Sequence, residues 1–231
     1  MDHRMIVQLD NVSKSYPEGS NNQRREILNS LSLSIESGQS VSVIGPSGCG
    51  KSTLLNIIGT LDPPDSGEVE VCGRNISGLN DKELSALRAD KIGFVFQSHH
   101  LLPQISVIEN VILPNLASSS PIEQSECNNT AAQLLESVGM ADHAHKMPSE
   151  ISGGEMQRVA VVRSMINSPE LLLADEPTGS LDQERGEELI TLLLRLCDEQ
   201  NTALILVTHD DKTASRMERN LAFEGTRIVE V

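Results

Sequence analysis

The sequence predicts an α/β fold with a parallel-sheet core interrupted by a helical insert, and three observations carry that expectation. A short apolar run at 41–44 passes into a glycine-rich loop and then into a helix starting at Lys51. The runs at 171–174 and 204–207 are purely apolar, as strands buried on both faces of a parallel sheet must be. Between 98 and 167 strand patterns vanish.

In chain order, 5–9 and 31–35 alternate or run apolar, and 41–44, 68–71 and 92–96 follow, so the first part reads as strands. Pro17-Glu18-Gly19 and Pro63-Pro64-Asp65-Ser66-Gly67 mark turns between them. The helix from Lys51 stops before Gly59, a C-terminal cap. Helical segments are predicted at 107–116, 122–138 and 155–167, and a leucine-striped helix at 184–199 lies between the two apolar runs.

A chain of 231 residues builds one sizeable domain. Its net charge of −15 opposes a nucleic-acid surface, which needs a basic stripe, and opposes adhesion to anionic lipid. No apolar stretch reaches the roughly 20 residues of a membrane span. Met1-Asp2-His3-Arg4 lacks the apolar core of a signal peptide. Cys49, Cys72, Cys127 and Cys197 are scattered without metal or disulfide spacing, so a reducing, cytoplasmic setting is expected.

Gly45-Pro46-Ser47-Gly48-Cys49-Gly50-Lys51-Ser52 matches the phosphate-loop pattern in full. Glycines let successive amides converge on phosphate oxygens, and the helix start adds its positive dipole end. Lys51 supplies a charge to the β- and γ-phosphates, and the Ser52 hydroxyl can ligate Mg²⁺. The bland alternative is a flexible glycine turn. Leu171-Leu172-Leu173-Ala174-Asp175-Glu176 is an apolar strand ending in two acids, which project into the ligand crevice of an α/β sheet. Asp175 is placed to hold Mg²⁺, and Glu176 to polarise an attacking water.

Ile151-Ser152-Gly153-Gly154-Glu155-Met156-Gln157, just before a helix, resembles the signature sequence of ABC ATPases. Ser152 also reads as a plain helix N-cap. The resemblance runs from Val7 to Val229. It implies a P-loop NTPase (RecA-like) parallel-sheet core with an antiparallel β subdomain and a helical subdomain insert. One domain spans 1–231, with its nucleotide-binding core at 1–97 and 168–231 and the helical subdomain at 98–167. It implies ATP and Mg²⁺ as cofactors, bound across a homodimer in which Ser152, Gly153, Gly154 and Asp182 of one copy complete the site of the other. Tyr16, the only tyrosine, falls where the family stacks an aromatic on adenine, and otherwise reads as a half-buried strand residue. Thr53 joins the phosphate loop, and Gln97 matches the glutamine that senses Mg²⁺ and nucleotide. Ser180-Leu181-Asp182 matches the loop crossing the dimer seam, and His209 the histidine that contacts the γ-phosphate. His3, His143 and His145 are expected at the surface. Met156 replaces a usually polar residue, which puts that position's partner contact in question.

Within the family, Gly93-Phe94-Val95-Phe96-Gln97-Ser98-His99-His100-Leu101-Leu102-Pro103, followed by Val107-Ile108-Glu109-Asn110-Val111, resembles the ATPases of lipoprotein-releasing systems. Macrolide- and peptide-export ATPases share the Leu-Leu-Pro and Glu-Asn-Val parts but more often have Phe-Asn in place of His99-His100. The resemblance implies two copies of this chain with two integral membrane permease subunits, peripheral at the cytoplasmic face of the inner membrane, without nucleic acid or membrane insertion of its own. No Asn-Lys-x-Asp segment supports a GTPase, and there is no room for a long coiled-coil insertion or a second cassette.

Overall fold

The computed structural model describes residues 4–18 and 23–231. His3 and the Gly19 end of the first turn signal lie outside the described residues. The chain opens with β1 (Met5–Glu18) and β2 (Gln23–Glu36), paired antiparallel with Val7 opposite Ile35 and Leu9 opposite Leu33. Both run well past the apolar stretches at 5–9 and 31–35. Pairing carries the polar residues along, and bulges around Leu9, Val12 and Lys14 keep Val12 and Lys14 buried.

Next comes β3 (Ser40–Ile44), followed by α1 (Lys51–Ile58), which Gly59 caps as the sequence predicts. β4 (Ser66–Val71) and the short β5 (Arg74–Asn75) complete an antiparallel sheet of order β2-β1-β4-β5. α2 (Asp81–Lys91) is a helix the apolar pattern does not reveal, because Leu87 is its one fully buried residue. Its start was nonetheless written in Asn80 and Glu83, which exchange side-chain to backbone hydrogen bonds as a capping box.

β6 (Ile92–Phe96) leads into residues 98–167, which hold α3 (Val107–Ala117), α4 (Gln124–Ser137) and α5 (Gly153–Met165), with α3 packed on the other two. Then come β7 (Leu171–Asp175), α6 (Gln183–Gln200) and β8 (Ala203–Thr208). A closing hairpin, β9 (Arg219–Glu224) and β10 (Arg227–Glu230), turns at Gly225 with φ +64°. The main sheet has the order β10-β9-β3-β8-β7-β6, parallel except for the antiparallel edge strand β10. That hairpin is mixed in polarity, so periodicity did not show it.

Side-chain alternation divides the buried strands between two cores. Leu171, Leu173, Ile205 and Val207 face the antiparallel sheet and α1. Leu172, Ala174, Leu204 and Leu206 face α5 and α6 on the other side. With both faces sealed, only the strand ends are free to carry chemistry. Among the described residues no helix is long and apolar enough to cross a membrane.

Candidate active site

β3, β8, β7 and β6 are neighbours in the sheet and run parallel, so their carboxyl ends lie along one edge. The phosphate loop follows β3, His209 follows β8, Glu176 follows β7 and Gln97 follows β6. One edge thus collects four motifs that are far apart in sequence.

The loop between β3 and α1 closes on its own lysine. Lys51 is 8% exposed, and its ammonium donates to Gly45 O at 2.7 Å and Pro46 O at 3.1 Å. Gly50, with φ +118°, precedes α1 without a side-chain cap, and a Cβ there would lie 2.8 Å from Ile27 Cγ2. No acid stands in the first turn of α1, so no side chain of the helix itself serves its leading amides. They sit at the positive end of the helix dipole, an arrangement suited to an anion.

Asp175 ends β7 at the sheet edge that carries the phosphate loop. Burial pushes its carboxyl up from the ordinary range, the Ser52 hydroxyl opposes this, Glu176 adds to the rise and Lys51 to the opposition. Glu176 then takes φ +48°, a left-handed turn that costs a residue with a Cβ about 1–2 kcal/mol. Its amide donates to Val207 O at 3.0 Å, and its carboxylate meets His209 Nδ1 at 2.8 Å. The Glu176 side chain is 19% exposed and that of His209 74%, so the histidine reaches from the surface over a sheltered acid. The side chain of Gln97 lies against Gly179, where a Cβ would come within 2.7 Å of Nε2. Tyr16 donates to Asp62 Oδ2 at 2.5 Å, and burial followed by that bond pushes its phenol up.

The second glycine loop is organised differently. Ser152 caps α5, accepting from Glu155 N at 3.4 Å, while Ser152 N and Oγ donate to Glu155 Oε2 at 2.6 and 2.7 Å. The Ser152 amide and then its hydroxyl hold the Glu155 carboxyl below its usual range, and His143 contributes from 3.5 Å. His143 is therefore half-buried and paired, a correction to its expected surface position, whereas His145 is exposed. Asp182 caps α6 by accepting from Arg185 N at 3.0 Å. Met156 packs against the core beneath the helical segment, which accounts for an apolar residue there.

Sequence reasoning missed two tethers. Gln157, 1% exposed, donates from Nε2 to Phe96 O at 2.7 Å and to Pro177 O at 3.0 Å. The available signal was a polar residue on the buried face of α5. Arg163 of the same helix donates to His99 O and His100 O, fixing the loop after Gln97. Burial, then His100 and Arg163, lower the His99 pKa.

A parallel sheet with a phosphate loop after one strand and paired acids after another defines a phosphate-loop nucleotide hydrolase. The family model of ABC transporters matches residues 28–179. The lipoprotein-releasing system ATP-binding protein LolD 1 of Rhodopirellula baltica is 46% identical over 213 residues, covering 92% of this chain and 91% of that protein. LolD of Xanthomonas campestris pv. campestris is 43% identical over 226 residues, covering 98% and 93%. Among solved structures, the dimeric post-hydrolysis state of the ATP-binding cassette MJ0796, bound to ADP and Pi, superposes with a TM-score of 0.87 at 38% identity over 97% of each chain. The chain belongs to the ABC transporter ATPase family.

Proposed function

We propose that paired copies of this chain hydrolyse ATP at the cytoplasmic face of the inner membrane and drive lipoprotein release through two separate integral membrane permease subunits. The observation that carries the chemistry is the gathering of the phosphate loop, Asp175, Glu176, His209 and Gln97 at one sheet edge. The cargo reading is supported by the LolD relatives and by the 93–103 segment. In this reading 1–97 and 168–231 form the nucleotide-binding core, and 98–167 the helical arm toward the permease.

The reaction is ATP + water → ADP + phosphate, and the protein's share is positioning and charge. Gly45, Pro46, Ser47, Gly48, Cys49, Gly50 and Thr53 wrap the phosphates, and Lys51 turns its ammonium from two carbonyls to the β- and γ-oxygens. Tyr16 stacks on adenine. Glu176 accepts a proton from the attacking water, held in orientation by His209, which also reaches the γ-phosphate. Ser152, Gly153, Gly154 and Asp182 of a second copy close the pocket from across the seam.

The residues fit Mg²⁺ as a partner of the nucleotide. Among the described residues no cluster of three or more acidic, histidine or cysteine side chains makes a cage. The Ser52 hydroxyl and the Asp175 carboxylate, with Gln97 on the neighbouring strand end, offer the few hard oxygen ligands Mg²⁺ takes alongside phosphates and water. When bound, it neutralises charge on the β- and γ-phosphates.

Reconstitution tests the proposal: the chain, co-purified with the integral membrane subunits it binds, is placed in vesicles carrying a triacylated lipoprotein. ATP-dependent transfer of the lipoprotein to a soluble carrier is expected. Transfer of a macrolide or peptide without any lipoprotein release would overturn the cargo assignment.

A further inference from the structure

Tyr16 does not stand alone on β1. Lys14, two residues earlier, is 7% exposed, and lysine is rarely buried so far without a partner. Its ammonium donates to Asp62 Oδ1 at 2.6 Å and to Pro63 O at 2.6 Å. The second oxygen of the same carboxylate, Asp62 Oδ2, accepts the Tyr16 hydroxyl at 2.5 Å. Lys14 Nζ also lies 5.2 Å from the centre of the Tyr16 ring, over one face.

Asp62 is not a loose surface acid. Its amide and that of Leu61 donate to Asn56 O on α1, at 3.2 and 2.8 Å, so the carboxylate is anchored to the helix that begins in the phosphate loop. Thr53, on the first turn of α1, is near enough to the phenol to oppose the rise in its pKa. The hydrogen bond that holds the phenol therefore comes from the phosphate-binding side of the molecule. With one carboxylate bridging ammonium and phenol, neither the tip of the ring nor the covered face is free to move independently.

We propose that Asp62 and Lys14 are positioning residues for base recognition: Asp62 pins the Tyr16 hydroxyl to the phosphate-loop helix, Lys14 covers one ring face, and the other face is left for the purine. The inference rests on the reading of Tyr16 as the residue that stacks on adenine. Its consequence is a fixed spacing between ring and phosphate loop, set before any ligand arrives. A base is then bound without first ordering a mobile side chain, which raises affinity by reducing the cost of binding.

The test compares ATP with inorganic tripolyphosphate, which has the charge and no base, by calorimetric titration of the full chain. Asp62→Ala, Lys14→Met and Tyr16→Phe should each weaken ATP binding about fivefold to tenfold and leave tripolyphosphate binding unchanged, within the range stacking contributes. Tyr16→Ala serves as the reference for losing the ring altogether. If Tyr16→Ala leaves the ratio of the two affinities unchanged, the stacking reading itself falls. If Tyr16→Ala changes the ratio while Asp62→Ala and Tyr16→Phe keep the native value, stacking stands and the positioning proposal is overturned. Equal loss of both ligands in Asp62→Ala and Tyr16→Phe overturns it as well, because the effect is then not tied to the base.

Discussion

Two glycine-rich loops in this chain open onto helix N-termini, and they differ in what serves the first-turn amides. At α1 the cap position is Gly50, which has no side chain to offer, and the first turn holds a buried lysine and no acid. At α5 the cap is Ser152, and Glu155 folds back to close a capping box. The first loop has no acid in its helix turn and is shaped to receive an anion. The second carries its own carboxylate, which serves the amide of Ser152, while the Ser152 hydroxyl serves that of Glu155. Gly153 then stands on an open face, where a Cβ would meet nothing within 4 Å, while Gly154 is buried against Arg185 and Leu181. A loop with its own negative charge beside it attracts phosphate weakly. It adds to a site only where the phosphate is already held, which is the physical case for nucleotide-dependent pairing of two copies.

Glu176→Gln probes both loops together and has the largest expected effect. Turnover should fall about 10²- to 10⁴-fold, the contribution of a positioned base, while ATP binding persists. Light scattering should then show a stable ATP-bound dimer; a strictly monomeric variant would break the comparison, since the second loop would then meet no phosphate. Lys51→Ala should lower turnover about 10²- to 10³-fold and weaken ATP binding in the isolated chain, because the first loop acts by itself. Ser152→Ala should leave ATP binding by the monomer unchanged. Its cost is the cap, about 1 kcal/mol, or roughly 2–4 °C in melting temperature for a chain of this size, together with loss of nucleotide-dependent dimerisation. Weakened ATP binding by monomeric Ser152→Ala would erase the distinction between the loops.

The smallest effect is electrostatic. The folded chain holds the Glu155 carboxyl below its ordinary range, chiefly through the Ser152 amide and hydroxyl. Such a group stabilises the fold above its unfolded pKa, about 4.3 for glutamate, and loses that contribution as pH falls through the lower folded value. The melting-temperature gap between the native chain and Glu155→Gln should therefore shrink as pH falls below about 4. A gap that keeps widening below about pH 4 would mean the carboxylate is not what closes the box.

What the sequence disclosed was what is contiguous in it. The α1 boundaries, the 171–174 and 204–207 strands and the two glycine-rich loops are local patterns, and local chemistry decides them. α2 escaped because capping without an apolar stripe is a weak signal, and β9 and β10 because only Leu221 and Phe223 of that hairpin are buried, too few to stand out among its polar residues. The lengths of β1 and β2 depend on each strand having the other to pair with. At the site, Lys14 with Asp62, Glu176 with His209, and Gln157 with Phe96 and Pro177 are separated by 48, 33, 61 and 20 residues. Only the topology of the sheet brings such residues together, so no spacing rule could have paired them.

Gln157 constrains how this molecule can move. Its amide nitrogen is committed to two carbonyls, each next to a proposed working residue: Phe96 precedes Gln97, and Pro177 follows Glu176. Breaking either bond away from water would strand a carbonyl at a cost of about 1–3 kcal/mol. The root of α5 is therefore coupled to both strand tips at once. A displacement of α5 that keeps these bonds is passed to Gln97 and to Glu176 in the same stroke.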